Sequence, residues 1–172
     1  CGSYCTYGKI FPALEGLAEE YELVPIMSDT AAETDSRFGT AAEHLSRLSE
    51  LCKAAPVTDI VSAEPLGPAL PMDALLIAPC TGNTMAKLAH GISDSSVTMA
   101  AKAHLRNNKP VVVAFSTNDG LSGSLKNIAE LLNRKNYYFV PFRQDLPEAK
   151  PNSLASDFSL IPQTLAEALS GH

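Results

Sequence analysis

Thr81-Gly82-Asn83-Thr84 stands between an apolar run, Ala74-Leu75-Leu76-Ile77-Ala78, and a helical pattern that starts near Asn83. Small hydroxyl and amide side chains around a glycine suit two tasks at such a junction. They can cap a helix, because a threonine oxygen accepts from an amide of the first turn. They can also cradle phosphate oxygens and the edge of a planar ring, because the first amides of a helix lack intrahelical partners and sit at the positive end of its dipole. Spacing alone leaves both readings open. Cys80, directly before this group, is either a reactive thiol or a small buried hydrophobe. Gly2-Ser3, Ser28 and Ser116-Thr117-Asn118 are similar small groups, and Arg37 and Arg143 are candidates for gripping a ligand carboxylate bidentately. His44, His90 and His104 fall inside helical patterns and His172 ends the chain, so surface or packing roles are expected of them and histidine acid–base chemistry is unsupported. Glu64 and Asp73 flank a proline-rich stretch and read as solvated loop carboxylates.

The elements that would hold these residues alternate along the chain. Helices are expected over Thr6–Tyr21, Thr40–Ala55, Asn83–Gly91, from Asp94-Ser95-Ser96 to Arg106, over Gly123–Lys135 and over Ser159–Leu169. Strands are expected at Glu22–Met27, Ala74–Ala78, Pro110–Ser116 and Tyr137–Phe142, while Ser62–Pro71 carries too many prolines to be regular. The opening CGSYCTYGK reads as a loop that follows a strand, so a strand is expected before residue 1. Strands separated by helices of this length imply right-handed βαβ units and a parallel sheet covered on both faces. Ligands bind such sheets outside the carboxyl ends of the strands. Gly2-Ser3, Ser28, Pro79 to Thr84, Ser116 to Gly120 and Pro141 to Arg143 all fall on that rim, and their common position strengthens the cradle reading.

Composition narrows the classes. The 172 residues are enough for one domain, and the net charge of −6 with scattered basic residues argues against a nucleic-acid surface. An anionic ligand must then be held locally. No apolar run approaches a membrane span. Cys1, Cys5, Cys52 and Cys80 form no CxxC pair and no zinc-like spacing, so no metal site is expected and a reducing cytoplasm fits.

The string APCTGNTMAKLAHGISD (Ala78–Asp94) resembles the central motif of the flavoproteins that include the homo-oligomeric flavin-containing cysteine decarboxylases and the flavin prenyltransferases. That resemblance implies FMN at Thr81, Gly82, Asn83 and Thr84, with Gly2-Ser3 as the first phosphate-contacting loop and Ser28 as the serine after the second strand. Ser116, Thr117 and Asn118 would close the pocket. Within the family, TDSRFG (Thr34–Gly39), AEPLGP (Ala63–Pro68), SDSSVTMAAKAHLRNNKPVVVAFSTND (Ser93–Asp119) and VPFRQDLPEAKPNSLASDFSLIPQTL (Val140–Leu165) look like the B subunits of dipicolinate synthases.

The narrower resemblance implies a single flavodoxin-like or Rossmann-like domain over residues 1–172, three-layered α/β/α, with a doubly wound parallel sheet. It further implies an oxidoreductase subunit that helps form dipicolinate during sporulation, in the cytoplasm of the mother cell. A partner A subunit would supply NAD(P), and the chain itself would assemble as a homo-oligomer, a trimer or larger. The substrate would be dihydrodipicolinate or its hydrated precursor. Two departures from the decarboxylase pattern agree with this. Glu64-Pro65-Leu66-Gly67 stands where decarboxylases carry a catalytic histidine, and Ser116-Thr117-Asn118-Asp119-Gly120 replaces their proline- and methionine-containing clamp. The alternatives are a non-catalytic scaffold with a vestigial flavin pocket and an FMN-dependent cysteine decarboxylase.

Overall fold

Every second residue of the run Val111–Phe115 faces the same side of a sheet, and this alternation organises the molecule. Val111, Val113 and Phe115 join one core cluster, Val112 and Ala114 the other, and all five side chains are fully buried. A strand buried on both faces is the middle of a three-layer structure.

The computed structural model describes residues 1–67 and 69–171; Pro68 and His172 lie outside the described residues. Strand β1 (Leu75–Cys80) and strand β2 (Val111–Thr117) pair in parallel, with Leu75 opposite Val111. Strand β3 (Tyr137–Phe139) continues the parallel pairing on the far side of β2. Helices α1 (Tyr7–Glu20) and α8 (Ile161–Ser170) cover one face through Ile10, Leu17, Ile161 and Leu165. Helices α5 (Gly82–His90), α6 (Ser96–Leu105) and α7 (Leu125–Leu132) cover the other through Met85, Leu88, Val97 and Ile128. Short helices α2 (Asp29–Glu33) and α4 (Ile60–Ala63) and the longer α3 (Ala41–Cys52) lie between. The expected α/β architecture with a mostly parallel sheet is therefore present, and no helix among the described residues is long and apolar enough to cross a membrane.

Three expectations need correction. The stretch Glu22–Met27 is extended but not a strand: it makes only a bridge, Ile26 to Val57, through Met27 N to Val57 O at 2.9 Å and Val57 N to Pro25 O at 2.9 Å. Pro25 has no amide to donate and nothing pairs with the stretch on its other side, so a ladder cannot form.

Tyr137–Phe142 is not one strand. Val140 still donates to Val113 O, but Pro141 ends the ladder, and the chain turns into an antiparallel pair, β4 (Phe142–Gln144) with β5 (Leu154–Ser156). β5 then pairs antiparallel with Ser116 and Thr117, so the sheet is mixed rather than wholly parallel. Ser156 fixes the junction, accepting from Phe115 N at 3.0 Å and donating to Val140 O at 3.4 Å.

Two helices are shorter than expected. α3 stops at Cys52 because Lys53 turns left-handed at φ 53°, and α7 runs only from Leu125 to Leu132.

Candidate functional site

The start of α5 performs the capping task that its composition allows. Thr81 is extended, at φ −83° and ψ 160°, and its hydroxyl accepts from Thr84 N at 3.3 Å and donates to Thr84 Oγ1 at 3.2 Å. This uses one orphan amide and leaves those of Gly82 and Asn83 with no hydrogen bond among the described residues. Both amides stand at the positive end of a nine-residue helix. The capped turn and the cradle are thus the same object.

Gly82 is there because no side chain fits. A Cβ at this position would lie 2.7 Å from Thr117 Oγ1, 2.9 Å from Ser124 Oγ and 3.3 Å from Asp119 Oδ1. The end of β2 presses against the first turn of α5, and Thr117, expected at the rim, is brought to it. Asp119, within the expected rim loop Ser116 to Gly120, comes with it, whereas Ser124 is not among the residues expected at the site from sequence. Thr117 and Ser124 donate to the same oxygen, Asp119 Oδ1, at 2.5 and 2.8 Å, and the two hydroxyls hold the carboxyl below its usual range. The carboxylate is exposed, on the wall of an open notch of about 480 Å³ between α5 and α7 that Asn83 and His90 also line.

One further loop meets this turn and joins it to a second. Thr84 Oγ1 lies 3.5 Å from Cys1 Sγ, and Tyr4 donates to Thr30 O at 3.2 Å, so the segment holding Gly2 and Ser3 bridges the α5 start and the first turns of α2. Ser28 is the N-cap of α2, but its hydroxyl makes no capping bond, and Ser3 likewise makes none at the short 3-10 turn it precedes. The Ser3 hydroxyl pairs with Cys5 Sγ at 3.9 Å, while that of Ser28 has no hydrogen bond among the described residues. Ser116 and Asn118 flank Thr117 along the chain, Asn118 exposed.

The other candidates have different surroundings. Cys80 is fully buried and burial pushes its thiol up to about 12, which makes it a packing residue rather than a nucleophile. Arg37 is stacked 4.8 Å over Phe38 in the loop before α3. Arg143 projects from β4, where its charge helps lower the carboxyl of Asp157, behind the larger effect of Ser159 hydrogen bonds. No hydrogen bond or ion pair among the described residues joins either arginine to the α5 start. Burial holds His104 below the ordinary imidazole value, and the ring bonds Pro110 O at 3.0 Å, while His90 bonds Ala86 O at 2.8 Å. His44 packs against Tyr7 with ring centroids 4.7 Å apart, and its buried Nε2 has no partner among the described residues. His172 lies outside the described residues.

A Rossmann-like sheet with hydroxyl-rich loops at its strand ends and two unpaired amides at the start of α5 defines a class. The chain belongs to the flavoprotein family: the family model described as Flavoprotein matches residues 1–153. Within it the chain groups with the B subunit of dipicolinate synthase, being 47% identical over 169 residues to that protein of Bacillus subtilis (strain 168), with 98% of this chain and 84% of the relative covered. The crystal structure of the dipicolinate synthase B subunit from Bacillus halodurans C superposes with a TM-score of 0.91 at 43% identity, covering 100% of this chain and 89% of that one. The FMN-dependent cysteine decarboxylase SpaF shares the fold at a TM-score of 0.70, with 24% identity over 98% of this chain and 91% of that chain.

Proposed function

We propose that this chain is the B subunit of a dipicolinate synthase and that it holds FMN at the start of α5. The supporting observation is that the Gly82 and Asn83 amides at the α5 start have no partner among the described residues, with the segment that holds Gly2-Ser3 against the same turn through Cys1 and Thr84. Membership of the flavoprotein family supports flavin as the cofactor class. The residues present fit such a group: the Gly82 and Asn83 amides and the Ser3 and Ser28 hydroxyls would meet the phosphate, and Ser116, Thr117 and Asn118 would close the pocket. When bound, FMN would supply a two-electron acceptor.

The reaction assigned to the two-subunit enzyme is aromatisation of dihydrodipicolinate, or of its hydrated precursor after loss of water. Dihydrodipicolinate loses a hydride to the acceptor and a proton to a base or to water, and dipicolinate remains. The A subunit would bring NAD(P), and the chain would work as a homo-oligomer in the cytoplasm of a sporulating mother cell. Arg37 and Arg143 are the proposed grips on the two carboxylates. Replacing either with Ala should raise KM about tenfold or more and leave kcat within about twofold, since a lost charge-assisted hydrogen bond is worth roughly 1.5–3 kcal/mol. The deciding experiment is anaerobic mixing of both subunits with substrate. Full activity from the A subunit alone would remove the catalytic role assigned here.

One observation favours a second reading, a scaffold with a vestigial pocket. Asp119, held ionised by Thr117 and Ser124, places a negative charge at the edge of the cradle, where it repels a phosphate. Recombinant protein that is colourless and gains no thermal stability from added FMN would support the scaffold.

A further inference from the structure

Helices α5 and α7 start side by side, and Asp119, Lys126 and Asn127 line the open notch of about 480 Å³ between them. Asn127, on α7, is the buried one. It is only 6% exposed, and its side chain makes no hydrogen bond among the described residues. The side-chain atom that lacks a partner and is also sealed from solvent is His44 Nε2, so the Asn127 carboxamide keeps its opening through the notch. A buried carboxamide needs a partner for its N–H groups and another for its oxygen. Asp119 stands beside it with an acceptor to spare. Oδ1 is taken by the Thr117 and Ser124 hydroxyls, whereas Oδ2 receives no hydrogen bond from another described residue. That free oxygen lies over Gly123, where a Cβ would stand 3.1 Å from it, one turn before Asn127. The surrounding charges limit what can enter. Asp119, ionised, repels an anion, while the amino ends of α5 and α7 and the Lys126 ammonium repel a cation. A neutral group remains, one that donates to Asp119 and accepts from Asn127, and a hydroxyl does both.

We propose that the α5–α7 notch is a hydroxyl-recognition subsite beside the cradle, with Asp119 and Asn127 as its specificity-determining pair. The inference rests on the dipicolinate synthase reading and selects between the two substrates that this reading allows. The hydrated precursor carries a ring hydroxyl, and dihydrodipicolinate does not. In the notch this hydroxyl donates to Asp119 Oδ2 and accepts from the Asn127 amide, while both carboxylates stay outside, away from the Asp119 charge. Thr117 and Ser124 are positioning residues here: by holding Oδ1 they present Oδ2 to the ligand. Dihydrodipicolinate in the same pose would strip water from Asn127 and Asp119 and give neither a partner. A site built to hydrogen-bond a hydroxyl rejects the analogue that lacks it more strongly than an apolar pocket rejects an extra methylene. The hydrated precursor is therefore the form this chain binds.

Two stable ring probes test it: piperidine-2,6-dicarboxylate with and without a hydroxyl on carbon 4, titrated by calorimetry into the two-subunit complex with FMN present. The parent should bind the hydroxylated probe at least about tenfold more tightly. Asn127→Leu and Asp119→Ala, on different elements, should each bring the two probes within about twofold, with melting curves showing that the variants are folded. Equal binding of both probes by the parent overturns the proposal and leaves the notch to water. So does a hydroxyl preference that survives in both variants. Dipicolinate, which has no hydroxyl, separates this inference from the reading it rests on. If dipicolinate and both probes fail to bind, the dipicolinate synthase reading falls and the subsite with it. If dipicolinate binds and no hydroxyl preference is seen, the subsite alone is removed.

Discussion

Helices α5 and α6 lie on the same face of the sheet and both open on a hydroxyl N-cap, Thr81 and Ser95, yet their first turns differ. At α6 two of the three first-turn amides, those of Ser96 and Thr98, are taken up, and only that of Val97 is left without a partner among the described residues. Ser95 and Thr98 form a reciprocal capping box, Ser96 N bonds Asp29 Oδ1 at 3.3 Å, and the buried Ser96 hydroxyl donates to Met27 O at 2.7 Å. At α5 only Thr84 N is capped, and Gly82, kept small by Thr117 and Ser124, leaves its own amide and that of Asn83 unpaired among the described residues. The residue types at the two starts are alike. Which amides remain after the protein has satisfied itself separates a structural turn from a binding one.

Substitutions at the two starts put this contrast to the test. The largest effect is expected from Gly82→Val, whose side chain would overlap Thr117 and Ser124. It should cost about 1–3 kcal/mol of stability, typical of overpacking, and lower FMN affinity by at least about a hundredfold, read from thermal melts and flavin titration. Ser96→Ala, at the start where two of the three amides are taken up, leaves Met27 O without its donor. A loss of about 1–3 kcal/mol with unchanged FMN affinity is expected in the same two assays. If Ser96→Ala weakened flavin binding as much as Gly82→Val, the contrast would fail.

Thr81→Ala removes a cap and should cost about 1 kcal/mol in denaturant unfolding. The smallest effect belongs to Asp119→Asn. Removing an exposed charge should tighten FMN by up to about fivefold. It should also soften the acid limb of stability. The folded carboxyl of Asp119 is depressed by Thr117 and then Ser124, so its contribution is present above the ordinary carboxylate value and is lost as pH falls through the depressed one. Melting temperature below about pH 4 should therefore fall less steeply in the variant than in the parent.

Much of this site was legible from residue order. The apolar runs that became β1 and β2, the cap at Thr81 and the stop at Gly91, left-handed at φ 69°, are local signals, and they placed α5 within about a residue. The hydroxyl loops followed from the strand-end rule. The place of Asp119 in a rim loop was legible, but its bonds to Thr117 and Ser124 beside Gly82 were not, because they join residues from a strand end and two helix starts. Nor was the β4–β5 pair: Phe142, Arg143 and Gln144 are exposed and carry no buried face to alternate. Glu22–Met27 failed for a third reason, since a strand is defined by its neighbours and Val57 is its only one among the described residues.

Titration of purified protein with FMN, followed by the visible spectrum and calorimetry, decides whether the α5 start is a binding turn. Saturable binding of one flavin per chain is expected, abolished by Gly82→Val and retained by Ser96→Ala. Absence of binding in the parent, or equal binding by both variants, would contradict it.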